Sequence, residues 1–357
     1  MELFIFFLKE QVLMNNIFYI AAWSKDDPQG GIHIYDSGNN GLKKLGFAPL
    51  PMAGYICFSP DGKTLYATGR DGNDEALAAF AVREDVFLEA LGMCPSGGVS
   101  TCHNCTSPDG GFLYAANYSS GDFAEFALDC SGKILERTRL VRHTGSGPVA
   151  GRQESAHPHF VSMTPDGKYL AVADLGIDKL VCYPYEKGKG IDVLSSVESS
   201  MPSGCGPRHI HFAGNGIAYL LTELGNTVLS LNYADGRFSV INEISLLPGQ
   251  CHCDTKASAI RMSADGRFLA ATNRGFDSVV FIAVDGKGGM KINQTLLSGG
   301  SSPRDVYFLP GGTQFAAANE FSGNIWFFDY DREKGTVVPN GLKLEYPRPI
   351  CIAWYDK

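Results

Sequence analysis

Apolar and polar positions along the chain recur in one unit: an apolar strand-like run, a tight turn of the Pro-Asp-Gly type, and a second apolar run. The unit reads YICFSPDGKTLYATG around Asp61, CHNCTSPDGGFLYAANY around Asp109 and HFVSMTPDGKYLAVADLG around Asp166. It returns as RHIHFAGNGIAYLLTELG around Asn215, AIRMSADGRFLAATNRG around Asp265 and RDVYFLPGGTQFAAANEF around Gly311. The anchors are spaced by 48, 57, 49, 50 and 46 residues. Asp-Gly or Asn-Gly between short apolar runs is a hairpin signal, because these residues accept the backbone angles of a tight turn. A third strand-like run follows each hairpin, such as KLVCYPYE or SVVFIAVD, and then a weaker fourth segment.

Four strands in each repeat of about 40–50 residues is the pattern of a β-propeller blade. No helical period separates the strands, which excludes a barrel of βα units. Six anchors leave the ends of the chain to be explained. PRPICIAWYD reads as an inner strand that stops with the chain, while NIFYIAAW and GIHIYDSG read as second and third strands without a first. Joined, they complete a seventh blade and pair edges that would otherwise stand open. The expected fold is therefore all-β: a seven-bladed β-propeller of four-stranded blades, its closing blade shared by the N- and C-termini. Residues 14–357 form this single domain, and residues 1–13 are an extension outside it.

Composition agrees with a globular chain: of 357 residues, 44% are hydrophobic and 19% charged, with 42 glycines and 18 prolines for turns. A net charge of −8 argues against a nucleic-acid partner. The apolar run Leu3–Leu8 is too short to span a membrane and lacks the basic flank of a signal peptide. The ten cysteines are irregularly spaced in a chain long enough to bury a core, so they read as reduced thiols of a cytoplasmic protein. Two clusters invite a metal, Cys102-His103-Asn104-Cys105 and Cys251-His252-Cys253. In the first, strand alternation sends Cys102 and Cys105 to opposite faces; the second has no companion pair at zinc-site spacing. No metal or cofactor is expected.

Hairpin geometry nominates a site. Residues seven before each anchor enter from the rim to which residues about nine after it return. The entering column holds Gly54, Cys102, His159, Arg208, Ser258 and Arg304, with His103 one place on. The returning column holds Arg70, Tyr118, Leu175, Arg274 and Glu320, with Glu223 one place early. Inner strands line the channel of a propeller, so four arginines, two histidines and two glutamates converge on one mouth. Taken singly each is an ordinary solvated rim residue; as a ring that varies from blade to blade they nominate a site. Guanidinium forks suit an anionic ligand, and a glutamate or histidine among them suits acid–base work. The long 57-residue interval falls on RHTGSGPVAGRQESAHPH, a candidate lid or a plain surface insertion.

These stretches, with GPRHIHF, TELGNTV and SPRDVYFLPGG, resemble the propeller-type 6-phosphogluconolactonases, a family that also includes a fungal carboxy-muconate cyclase. The resemblance runs from about Phe18 to the end of the chain. It implies a metal-independent site of one histidine, two arginines and a glutamate, here His159, Arg208, Arg274 and Glu223. His103, Arg304 and Glu320 are added as substrate-binding residues. Three departures bear on substrate: the extra cysteine in TCHNC, Thr222 where asparagine is usual, and Glu320 where glutamine is frequent. The leading expectation is hydrolysis of a small anionic sugar lactone, 6-phosphogluconolactone first, with either Glu223 or His159 activating water and Arg208 and Arg274 on phosphate or oxyanion. A muconate cyclase, a non-catalytic binding propeller and a calcium-dependent gluconolactonase using Asn117, Asp174, Asn273 and Asn319 are the alternatives. The oligomeric state is not written in the sequence.

Overall fold

The computed structural model describes residues 16–24, 26–38, 41–249, 254–309 and 311–354. The expected extension 1–13 and the Cys251-His252-Cys253 cluster lie outside the described residues. Every regular element among them is a strand, and no helix is long and apolar enough to cross a membrane.

The strands form seven antiparallel sheets arranged as blades. Blade 1 runs Ile56–Phe58, Thr64–Asp71, Asp74–Val82 and Leu88–Pro95, innermost to outermost, and blades 2 to 6 repeat this meander from Thr101, Pro158, Pro207, Lys256 and Pro303. The closing blade orders Pro349–Trp354, Ile17–Ala22, Gly31–Asp36 and Lys43–Pro49, one strand from the C-terminus and three from the N-terminus. Blade 3 departs slightly: its outermost strand is split into Gly190–Ile191 and Val197–Ser200.

The repeated turn explains why the hairpins form where they do. In Ser59-Pro60-Asp61-Gly62, the Ser59 hydroxyl and the Lys63 amide both donate to Asp61 Oδ1, at 2.6 and 3.1 Å, and the Thr64 amide donates to Ser59 Oγ at 2.9 Å. Gly62 takes φ 68°, which a glycine adopts without steric cost. The same hydroxyl–aspartate clasp recurs at Ser107/Asp109, Thr164/Asp166 and Ser263/Asp265.

The core is not central. Seven apolar clusters each lie between neighbouring blades: Tyr66, Leu77, Leu113 and Phe126 join blades 1 and 2, and Phe160, Leu180, Leu220 and Leu229 join blades 3 and 4. Second strands rich in alanine, such as Ala316–Ala318, let adjacent sheets approach closely. The axis is left for polar side chains. There the free inner edges of the first strands are capped across blades, Val161 N–H donating to His103 Nδ1 (3.4 Å) and Ile352 N–H to Asp305 Oδ2 (3.0 Å).

Candidate active site

In five of the seven blades the innermost strand is broken near its start by a β-bulge. The register skips Cys102 in blade 2, His159 in blade 3, Arg208 in blade 4, Arg304 in blade 6 and Ile350 in the closing blade. Blade 5 is interrupted at Ser258–Ala259, and in blade 1 the Gly54 amide bonds Thr68 O ahead of the regular strand. A bulged residue is unpaired and its side chain is re-aimed. Most of the entering column falls on these bulges, and Cys102, His159, Arg208 and Arg304 line a cavity of 510 Å³ at one mouth of the channel. The bulge also corrects one expectation. Alternation fails at Cys102, so Cys102 and Cys105 pack against the same apolar cluster instead of opposite faces.

Of the nominated residues, His159, Arg208, Arg304 and Glu320 line the cavity. Glu223 and Arg274 stand directly behind Arg208. His103 lies a layer deeper, between the rings of Tyr55 and Phe160, with both centroids 3.9 Å away. The solvated mouth expected for Arg208 and Glu223 is not found: they are 2% and 4% exposed.

Glu223 is the hub. Its Oε2 accepts from Arg208 Nε at 2.7 Å and lies 2.9 Å from Arg274 Nη2, while Oε1 accepts from Arg152 Nη2 at 2.5 Å. Burial pushes the Glu223 carboxyl up, but Arg274 and Arg208 outweigh it and hold the group well below the carboxylate range. Arg208 Nη1 donates to Ser258 O and to His209 Nε2, the latter at 2.9 Å. Burial, together with Arg274 and Arg304, pulls its guanidinium down to about 9, still charged at neutral pH. His159 and His209 are held well below 6.5, first by burial and then by Arg208, so both imidazoles are neutral.

A second carboxylate, Glu320, pairs with Arg348 Nη2 at 2.5 Å, and Arg304 Nη1 reaches it only at 3.9 Å. Arg348 Cζ stands over Trp23, 3.9 Å from the ring centroid. With the Arg70–Glu75 pair and the cavity-lining Asp305, which pairs with Arg261, seven guanidinium groups meet four carboxylates here, a local positive excess in a chain of net charge −8.

Arg152, His209 and Arg348 escaped the sequence reading. Arg152 belongs to the long segment before blade 3, whose surplus length was the available signal. That segment is no free flap: buried Gln153 donates to Leu175 O and Asp178 Oδ1, both at 2.8 Å, and accepts from Val149 N–H at 3.1 Å. His209 follows Arg208 in GPRH as His103 follows Cys102, and Arg348 precedes the closing strand in PRPICIAW. The residues weighed as calcium ligands have other work. Asn117 bonds Asp122 and Thr101, Asp174 accepts from the His157 and Gly176 amides, and Asn273 and Asn319 bond Asn226 and Asn324. Among the described residues no three His, Cys, Asp or Glu side chains are grouped as metal ligands.

The comparisons with known proteins agree with this architecture. The family described as "Lactonase, 7-bladed beta-propeller" matches residues 18–354. A 6-phosphogluconolactonase of Bacillus subtilis is 33% identical over 346 residues, covering 94% of this chain and 97% of its own. Among solved structures, a putative 6-phosphogluconolactonase of Bacteroides fragilis superposes with a TM-score of 0.88 at 27% identity, covering 96% of this chain and 98% of its own. The periplasmic gluconolactonase of Pseudomonas aeruginosa gives 0.89 at 27% identity, covering 96% and 99%. With seven blades, a ring of bulges and a match spanning the chain from Phe18 to Trp354, the protein belongs to the lactonase family of seven-bladed β-propellers, enzymes that hydrolyse lactones.

Proposed function

We propose that the protein opens a phosphorylated sugar lactone, 6-phosphogluconolactone, to the open-chain acid at the bulge-ringed mouth. The observation that carries this reading is the arginine excess, and above all Arg304. It lines the cavity but stands 3.9 Å from Glu320, which Arg348 already occupies, so its fork has donors to spare for a phosphate. A cavity of 510 Å³ is the right scale for a sugar phosphate. The substrate named for the Bacillus subtilis relative is of this kind.

His159 is the better candidate for the base. Glu223 has both oxygens engaged by guanidinium groups, which leaves it a poor proton acceptor and a good anchor. His159 is neutral and lines the cavity. In the step we assign, a water oxygen bonds to the lactone carbonyl carbon as its proton passes to His159. The tetrahedral intermediate then collapses, the ring C–O bond breaks, and His159 returns the proton to the departing alkoxide. The acid product loses its own proton to solvent. A phosphorylated substrate also favours a cytoplasmic setting, because sugar phosphates are retained inside the cell.

The test is hydrolysis of freshly generated 6-phosphogluconolactone against unphosphorylated gluconolactone, each with and without chelator. Preference for the phosphorylated lactone, weakened by Arg304→Ala and indifferent to chelator, supports the reading. Equal turnover of both lactones would move the assignment to an unphosphorylated sugar lactone, as in the Pseudomonas relative's name. Activity lost in chelator and restored by calcium would overturn the metal-free site.

A further inference from the structure

The channel has a second mouth, at the ends of the innermost strands of blades 4, 5, 6 and the closing blade. There His211, Arg261, Tyr307 and Trp354 reach the wall of another cavity, of 940 Å³, which shares no lining residue with the first among the described residues. Arg261 is the partition between the two. It lines the second cavity, while its partner Asp305, at 3.1 Å, lines the first. Arg261 Cζ stands over the ring of Tyr55 on the first side and of Tyr307 on the second, at 5.8 and 5.6 Å.

The repeat departs from its pattern at this mouth. The turns of blades 1, 2, 3 and 5 carry Asp61, Asp109, Asp166 and Asp265 at the position that Gly311 holds in blade 6. The blade 6 turn keeps the backbone bonds, Leu309 N–H to Gln314 O and Gly312 N–H to Leu309 O, as at Ser59 and Gly62. It has lost both the hydroxyl and the carboxylate. Arg332 lies across this turn instead, its Nε and Cζ 3.2 and 3.4 Å from where a β-carbon on Gly312 would stand, so the glycine lets the guanidinium approach. In blade 5 the turn's own Asp265 holds Arg267 at 2.8 Å; Arg332 forms no ion pair among the described residues.

The wall is therefore short of negative charge. Asp265 is its one carboxylate among the described residues, and Ser263 and Arg267 already hold it at 2.7 and 2.8 Å. The Arg261 side chain is 22% exposed, and the cavity it lines is this one. His211 adds a neutral imidazole, pulled down to about 4 by burial and then by Arg261. One guanidinium without an acid, a second that shares one, and a ring that can donate without charge suit an anion with several acceptor oxygens and more than one charge. A carboxylate offers two oxygens and a single charge, a phosphate group three oxygens and nearly two charges. We propose that the second mouth binds a phosphate group, free or as a monoester, with Arg332 and Arg261 as its cationic contacts. The site is separate from the lactone-opening cavity and does not depend on that reading.

The test uses the full-length protein carrying Arg304→Ala, which removes the phosphate contact assigned to the first cavity. It is titrated with inorganic phosphate, 6-phosphogluconate and gluconate while NMR follows the arginine Nε–H signals, that of Arg332 being the one lost in Arg332→Ala. Both phosphates should move the Arg332 signal along a saturable curve, and gluconate should not. Arg332→Ala should weaken binding about tenfold or more, as for loss of a charged hydrogen-bond partner, with the melting temperature unchanged because the residue is exposed. Arg332→Lys, which keeps the charge and loses the fork, should fall between. Equal affinity for the two phosphates identifies free phosphate as the ligand, and tighter 6-phosphogluconate identifies a monoester. An Arg332 signal that neither phosphate moves, a response that never saturates, an affinity indifferent to Arg332→Ala, or gluconate acting as strongly as 6-phosphogluconate overturns the proposal. None of these outcomes depends on whether the wild type opens a lactone.

Discussion

Arg208 and Glu223 face each other from opposite ends of one hairpin in blade 4, Nε to Oε2 at 2.7 Å, and almost no solvent reaches either. Hairpin pairing alone brings them together. Arg152 and Arg274, from the segment before blade 3 and from blade 5 respectively, then close over the same carboxylate. What looked from the chain like solvated rim residues is a four-residue charge cluster around a buried carboxylate.

Glu223→Gln should therefore cost stability as well as turnover. Removing one partner of a buried ion pair leaves the other charge uncompensated, typically about 3–5 kcal/mol. Urea denaturation should show a loss of that order, together with a fall in kcat. A variant with normal stability and abolished turnover would restore Glu223 as the general base.

Acid should weaken the protein before it titrates the catalyst. Burial, followed by the nearby Arg208, keeps His159 and His209 well below 6.5 in the folded state; at His103 burial is again the largest cause, then Arg261 and Arg208. Around His159 stand Arg208, Glu223, Arg304 and Arg274, with Glu223 alone acting to raise it. The unfolded chain then binds protons that the folded one refuses. Stability should be whole above about pH 6.5 and decline as pH falls below it, with a further loss below 4.5 as Glu223 gains its proton only on unfolding. The profile of kcat/KM should stay level through pH 6.5; an acid limb centred at or above 6.5 would contradict a neutral, depressed His159.

Gln153→Ala should release the segment that carries Arg152. The side chain holds three bonds, and removing it strands the buried Leu175 O at about 1–3 kcal/mol, while Asp178 Oδ1 keeps the Gly206 amide. Proteolysis between Thr144 and Glu154 should become faster, and activity should fall because Glu223 loses one guanidinium. Unchanged protection of this segment would show that His143, bonded to Asp174 and Tyr183, suffices to hold it.

Deleting the chain from Pro349 onward should abolish the fold rather than trim it. Ile17–Ala22 would lose its inner partner, the ring would open along an apolar edge, and Asp305 would lose the Ile352 amide. Circular dichroism and gel filtration should report aggregation or an unfolded chain; a soluble β-rich monomer would show that six blades stand alone.

The turns, the blade count and the shared closing blade were legible from the chain because they rest on local chemistry. A hydroxyl, an aspartate and a glycine at fixed offsets make a hairpin whatever surrounds them, and strand period is a property of neighbours. The seven-before-anchor column was legible for the same reason, since the bulge keeps its place in most repeats, and it found His159, Arg208 and Arg304. Burial and partnership were not legible. Arg152, Arg208 and Arg274 reach one carboxylate from three distant parts of the chain, His103 sinks beneath the cavity while His209, two blades on, lines it, and Arg348 displaces Arg304 from Glu320. By itself the sequence determined the fold and the ring of candidate side chains. Only the tertiary structure decided which of them are buried in ion pairs and which line the cavity, because the cost of burying a charge depends on every blade packed around it.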